Sequence, residues 1–226
     1  MAKLAILGGT FNPIHWGHLL MAEAALDQYG LDRVIWVPSY HPPHRSPLDL
    51  VDIAHRLAMV RLAIRDHPAF VLSTVEGKRQ GMSYAIHTLT DLSQEYPNSE
   101  WYWIIGLDAF QSLPRWYRRH DLAAQCRWLV APRWEKSAGG DRYPPPEAES
   151  AKADSAKVVA QQMTEQGIEL CWHPLTMPRI EISSSLIRQY CGDRRSIRYL
   201  VPDAVLDYIT AHNLYDAQAH NQCPHH

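Results

Sequence analysis

The chain has 226 residues, 46% of them hydrophobic, with a formal net charge of −2. That length supports one sizeable core. The charge gives no reason to expect a nucleic-acid surface, and no run of 18 apolar residues offers a membrane span. The four cysteines are far apart with no CxxC pair. They read as reduced thiols of a cytoplasmic protein rather than a zinc site or a disulfide framework. The start, MAKLAILGGTFNP, is too short and broken to be a signal segment. His225 and His226 at the end of the chain carry no weight in the reading.

In chain order, Lys3 to Leu7 is an apolar run ending at Gly8-Gly9, a buried strand and a tight turn. Leu19 to Tyr29 is rich in helix formers, with Gly30 as its C-terminal cap. Arg33 to Val37 is β-branched and aromatic, stopped by Pro38. Leu50 to Arg65 reads as a helix, Phe70 to Ser73 as a strand and Tyr84 to Glu95 as a helix. Trp101 to Ile105, Arg127 to Ala131 and Ile168 to Trp172 read as strands. Ser183 to Tyr190 and Pro202 to His212 read as closing helices. Strands alternating with helices predict an α/β fold: a Rossmann-like, doubly wound, mainly parallel sheet with helices on both faces. Trp134 to Lys157, with Gly139-Gly140 and Pro144-Pro145-Pro146, reads as a surface excursion within one domain spanning 1–215. From Asp216 to the end, 216–226, the sequence is polar and reads as a flexible tail.

Two stretches carry chemistry. The first runs Gly8-Gly9-Thr10-Phe11-Asn12-Pro13-Ile14-His15-Trp16-Gly17-His18, between the first strand and the first helix. Ligands of open α/β sheets bind beyond the carboxyl ends of strands. Gly8 and Gly9 allow close backbone approach, and the amides that open the helix can face an anion. His15 and His18, three apart, share one face and can donate to one phosphate. Gly17 keeps the helix backbone accessible between them. An HxxH pair in isolation is more often a surface or metal pair; the glycine turn and the junction shift the reading to phosphate. The second stretch is Ile182-Ser183-Ser184-Ser185-Leu186-Ile187-Arg188. Alone it is a serine-capped helix start with a solvated arginine. Beside the first stretch it would form a second phosphate clamp.

Together GGTFNPIHWGH and ISSSLIR resemble the (T/H)xGH-type and SSTxIR-type signatures of the nucleotidyltransferase superfamily. Three further stretches narrow the resemblance to bacterial nicotinate-nucleotide adenylyltransferases. They are Val37-Pro38-Ser39-Tyr40-His41-Pro42-Pro43-His44-Arg45, then Ile104-Ile105-Gly106-Leu107-Asp108 with Pro114-Arg115-Trp116-Tyr117, and Leu200-Val201-Pro202 with Val205 to Tyr215. Ser185 stands where the signature has threonine, and Arg45 where many relatives have lysine; hydroxyl and charge survive.

The resemblance implies transfer of the AMP of ATP to nicotinate mononucleotide, giving the deamido dinucleotide and pyrophosphate. It implies His15, His18 and Arg188 as catalytic residues, and an ATP site of Gly8, Gly9, Thr10, Phe11, His44, Arg45, Gly106, Asp108, Ser183, Ser184 and Ser185. Asp108 suits ribose hydroxyls, although its spacing fits a helix cap equally well. The resemblance also implies a mononucleotide site in which Trp116 stacks on the pyridine. Tyr117 and the Ser83-Tyr84-Ala85 turn would offer amides to the carboxylate. Mg2+ is expected to be held mainly by ATP phosphates, with no protein metal site. The expected partners are these two small molecules, without nucleic acid or membrane; a homo-oligomer is left open. The alternatives are a transferase using nicotinamide mononucleotide or phosphopantetheine, and a non-catalytic nucleotide-binding regulator.

Overall fold

The apolar strand segments pair into one six-stranded sheet in the order β3-β2-β1-β4-β5-β6, every neighbour parallel. The strands are β1 (Ala2–Gly9), β2 (Arg33–Pro38), β3 (Phe70–Leu72), β4 (Ser99–Gly106), β5 (Arg127–Ala131) and β6 (Trp172–Pro174). The helices are α1 (Trp16–Tyr29), α2 (Ile53–Ile64), α3 (Ala85–Glu95), α4 (Leu107–Ser112), α5 (Arg119–Ala123), α6 (Pro146–Glu165), α7 (Ser184–Gly192) and α8 (Asp203–Ala211). This computed structural model describes residues 1–43, 50–132, 146–178 and 180–216, and the side chains of 146–154 are not included. His44, Arg45 and nearly all of the expected tail therefore lie outside the described residues.

The two-residue period of the strands separates two cores. Leu4 and Ile6 of β1, with Trp101, Trp103 and Ile105 of β4, face α3, α4, α5 and α6. Ala5 and Leu7, with Tyr102 and Ile104, face α1, α2, α7 and α8. Helices on both faces leave each central strand buried on both sides, which is why these strands are almost continuously apolar. Strand order reverses between β1 and β4, so the loops that follow them diverge and leave a crevice. Gly8-Gly9 and Gly106 both end at that crevice.

Local signals explain the helix ends. Gly30 sits at φ +57, with its amide bonded to Leu26 O, closing α1 as expected. The Asp52 side chain accepts from Ala54 N at 2.7 Å. Ser183 accepts from Leu186 N at 3.2 Å and opens α7.

Three expectations need correction. The chain from Pro146 is helical, whereas a surface excursion was expected through Lys157. Ala156, Val159 and Met163 fall on one helical face and are buried in the core beside α4, and Pro146 sits at the first helical position, where proline is tolerated. The last strand is Trp172–Pro174; Ile168 is buried outside the sheet, its amide donating to Met163 O at 2.9 Å. Between β4 and β5 the chain forms two short helices, α4 and α5, that were not expected.

Candidate functional site

The loop from Thr10 to His15 folds back under the crevice. Phe11 takes φ +46, uncommon for a residue with a side chain, and its ring is buried between the edge of His18 and Trp36. Arg56, 2% exposed, fixes this loop from below. Its guanidinium donates to Thr10 O at 3.0 Å, Ser39 O at 2.7 Å and Val51 O at 3.1 Å. A fixed cation thus stands directly behind the end of β1, where Gly8-Gly9 continue the strand rather than forming the expected tight turn. Sequence reasoning missed it, because nothing distinguishes Arg56 from other helix arginines until the loops close over it.

His15 and His18 do share one face. Their rings stack with centroids 3.8 Å apart. Burial lowers the His15 pKa to about 4, and burial together with the His15 charge holds His18 well below the ordinary imidazole value. Both are therefore neutral at pH 7. His18 Nδ1 accepts from His15 N at 3.3 Å, which places the His18 proton on Nε2 as a donor. His15 Nδ1 is buried with no partner among the described residues, a costly arrangement of the kind that functional sites retain. Gly17 has a further reason beside the one expected. A Cβ there would meet His15 Cε1 and Nδ1 at 3.0 Å. The glycine makes room for the His15 imidazole.

The second stretch docks directly on the first. Arg188 donates to Asn12 O at 2.8 Å and Ser184 Oγ to Pro13 O at 2.8 Å. Tyr215 OH donates to Asn12 Oδ1 at 2.9 Å, so the chain after α8 also braces this loop. Each serine has a bond within the fold: Ser183 Oγ accepts from Leu186 N, Ser184 Oγ donates to Pro13 O, and Ser185 Oγ accepts from Arg188 at 3.3 Å, so the Ser183 and Ser185 hydroxyls keep their hydrogens to donate. Two of the five guanidinium hydrogens of Arg188 are accounted for by these bonds, leaving it able to bind an anion.

Beside this constellation opens a cavity of about 570 Å³. Gly8, Gly9 and Thr10 form one wall; Ser83, Tyr84, Ala85, Trp116 and Tyr117 form another. All five expected mononucleotide residues are thus in one place. Trp116 is half-buried, its Nε1 donating to Ser112 Oγ at 2.8 Å and its ring set edge-on to Trp103 and Trp128. The ring is held from behind. Tyr117 packs on Tyr84 at 4.6 Å.

The expected amide donors need refinement. Ser83 N donates to His41 O at 2.9 Å and Tyr84 N to Met82 O at 3.0 Å. Ala85 N and Tyr117 N have no partner among the described residues, so these two can serve a carboxylate. Asp108 is exposed in the first turn of α4, two residues past the cap Gly106, so the cap reading of Asp108 does not hold. Arg115 and Glu76 also line the cavity and were not anticipated.

The chain as a whole is similar to known proteins. A family model described as Cytidylyltransferase-like matches residues 6–190. The chain is 53% identical over 215 residues, 95% of its length and 98% of the other's, to a probable nicotinate-nucleotide adenylyltransferase of Nostoc sp. (strain PCC 7120). It is 39% identical over 213 residues to a probable nicotinate-nucleotide adenylyltransferase of Geobacter sulfurreducens, covering 94% of this chain and 98% of that one. Among solved structures, Plasmodium falciparum nicotinic acid mononucleotide adenylyltransferase complexed with NaAD superposes with TM-score 0.72 at 18% identity, over 95% of this chain and 98% of that one. At that identity the likeness speaks for the fold.

Proposed function

The chain belongs to the cytidylyltransferase-like family, among its nicotinate-nucleotide adenylyltransferases, and from that premise we propose how its own residues perform the transfer. The reaction joins the AMP of ATP to nicotinate mononucleotide, giving the deamido dinucleotide and pyrophosphate. One observation carries the residue assignment. The start of α7 is bonded to the Asn12-Pro13 turn ahead of α1, so His18 and Arg188 flank one loop next to the cavity that holds Trp116.

ATP lies across the Gly8-Gly9 end of β1, its phosphates between the start of α1 and the start of α7. The mononucleotide enters the cavity with its pyridine on Trp116 and its carboxylate at the amides of Ala85 and Tyr117. A phosphate monoester has its second pKa near 6, so the acceptor phosphate is already mostly dianionic at neutral pH. One of its oxygens attacks the α-phosphorus in line. The bond from that phosphorus to the bridging oxygen breaks, and pyrophosphate leaves. No general base is required. The protein aligns the two phosphates and stabilises the charge that spreads onto equatorial oxygens. His18 Nε2–H donates to those oxygens, and Arg188 holds the departing pyrophosphate. Asp108 is assigned to ribose hydroxyls, and His44 and Arg45 add positive charge to the phosphates.

Among the described residues no cluster of three or more His, Cys, Asp or Glu could cage a metal ion. A Mg2+ arriving with ATP would be held mainly by the ATP phosphates and water, and when bound it would neutralise phosphate charge.

The test is pyrophosphate release with ATP and, in turn, nicotinate mononucleotide, nicotinamide mononucleotide and phosphopantetheine. Preference for the first by 100-fold or more in kcat/KM is the expected result, since a carboxamide would present its NH₂ to amide donors. Equal use of the carboxamide would refute the amide assignment. No turnover with any acceptor would leave a nucleotide-binding regulator.

A further inference from the structure

The segment Tyr40–Pro43 follows β2, and Pro42 and Pro43 contribute to the cavity wall. It is stitched to the chain between Glu76 and Ser83. Tyr40 N donates to Glu76 Oε2 at 3.2 Å. His41 N donates to Ser83 Oγ at 3.0 Å, and Ser83 N returns a bond to His41 O at 2.9 Å. The Tyr40 ring lies so close over Gly77 that a Cβ there would stand 2.5 Å from Cζ.

Glu76 is the centre of this stitching. It is 7% exposed, yet it reaches the wall of a cavity meant for a doubly anionic acceptor. A buried carboxylate is costly unless each oxygen is bonded. Here the two oxygens serve different walls. Oε2 takes the Tyr40 amide, and Oε1 takes the hydroxyl of Thr88, itself 1% exposed, at 2.7 Å. Thr88 lies on α3, one turn beyond Tyr84 and Ala85. Arg79 donates to Thr88 Oγ1 at 3.3 Å and pairs with Asp91 at 3.0 Å, extending the chain of bonds to the surface.

We propose that Glu76 is a positioning residue for the acceptor: by bonding the Tyr40 amide and the Thr88 hydroxyl at once, it fixes the Pro42-Pro43 wall against the α3 start. This fixes the width of the cavity between the proline wall and the amide that receives the carboxylate. The inference rests on the assignment of this cavity to the mononucleotide.

The test measures binding of nicotinate mononucleotide and of ATP separately by calorimetry, alongside turnover and Tm, for wild type, Glu76→Gln, Thr88→Val and Lys78→Ala. Glutamine keeps the size of Glu76 but sets an NH₂ against one of two donors. Glu76→Gln is expected to weaken mononucleotide binding about tenfold, the order that a lost buried hydrogen bond gives. Thr88→Val should do the same, with ATP binding within about twofold of wild type for both. Lys78→Ala, on the same turn as Glu76 but removing only an exposed ion pair with Glu95 at the end of α3, should change neither. Unchanged mononucleotide binding in Glu76→Gln would overturn the proposal. So would equal weakening of ATP, or an equal effect of Lys78→Ala, since either would make the turn a general support. If wild type binds ATP but no mononucleotide, the functional assignment of the cavity fails and this inference fails with it.

Discussion

Lowering the pH should loosen this protein through His15 in particular. Its pKa is lowered from the ordinary 6.5 to about 4 by burial. In the unfolded chain the imidazole takes up a proton below pH 6.5, whereas the folded site resists until about pH 4. The stability carried by the neutral ring is therefore fully present above the unfolded value and is lost as pH falls through that window. The full difference corresponds to about 3 kcal/mol, and at pH 5 to about 2 kcal/mol. His18 moves in the same direction, from burial and from the neighbouring His15. The assay is urea unfolding of wild type and His15→Asn at pH 7 and pH 5. Between the two pH values wild type should lose about 2 kcal/mol more than the variant, because groups that do not depend on His15 cancel in the comparison. Equal losses would refute the reasoning, because His15 would then ionise as freely in the folded protein as in the unfolded chain.

Other outcomes follow from the same geometry. Trp116→Ala should raise the KM for the mononucleotide about tenfold or more and leave that for ATP nearly unchanged; steady-state kinetics with each substrate varied checks this, and a rise confined to ATP would contradict it. Gly17→Ala places a methyl 3.0 Å from the His15 ring; turnover should fall by about tenfold or more with the fold intact by circular dichroism, and full activity would show that the His15 position is not needed. Met163, 0% exposed, anchors α6; Met163→Ala should cost about 2–5 kcal/mol, seen as a lower Tm, whereas an unchanged Tm would return this segment to the surface.

Much of the architecture is legible in the sequence because its signals are local. The apolar runs of β1, β2, β4 and β5 are long enough to read, and Gly30 and Ser183 mark helix ends by their own chemistry. The two signature stretches were readable because each couples a turn to a helix start. What stayed hidden depends on contacts distant in sequence. Met163 and Val159 look like members of a polar helix until α4 covers them. Arg56 acquires its role from carbonyls at positions 10, 39 and 51. The Ser83 and Tyr84 amides looked available, and only the fold brings His41 to Ser83. The further reason for Gly17 also needs the fold, because the space beside it is filled by a ring two residues earlier.

The most direct test of the central claim is a crystal structure with a non-hydrolysable ATP analogue. The phosphate oxygens should lie within about 3.2 Å of His18 Nε2 and of the Arg188 guanidinium, with the ring cavity beside Trp116 left open for the acceptor. A triphosphate bound elsewhere, with either side chain turned away from it, would contradict the claim that the starts of α1 and α7 form one phosphate site.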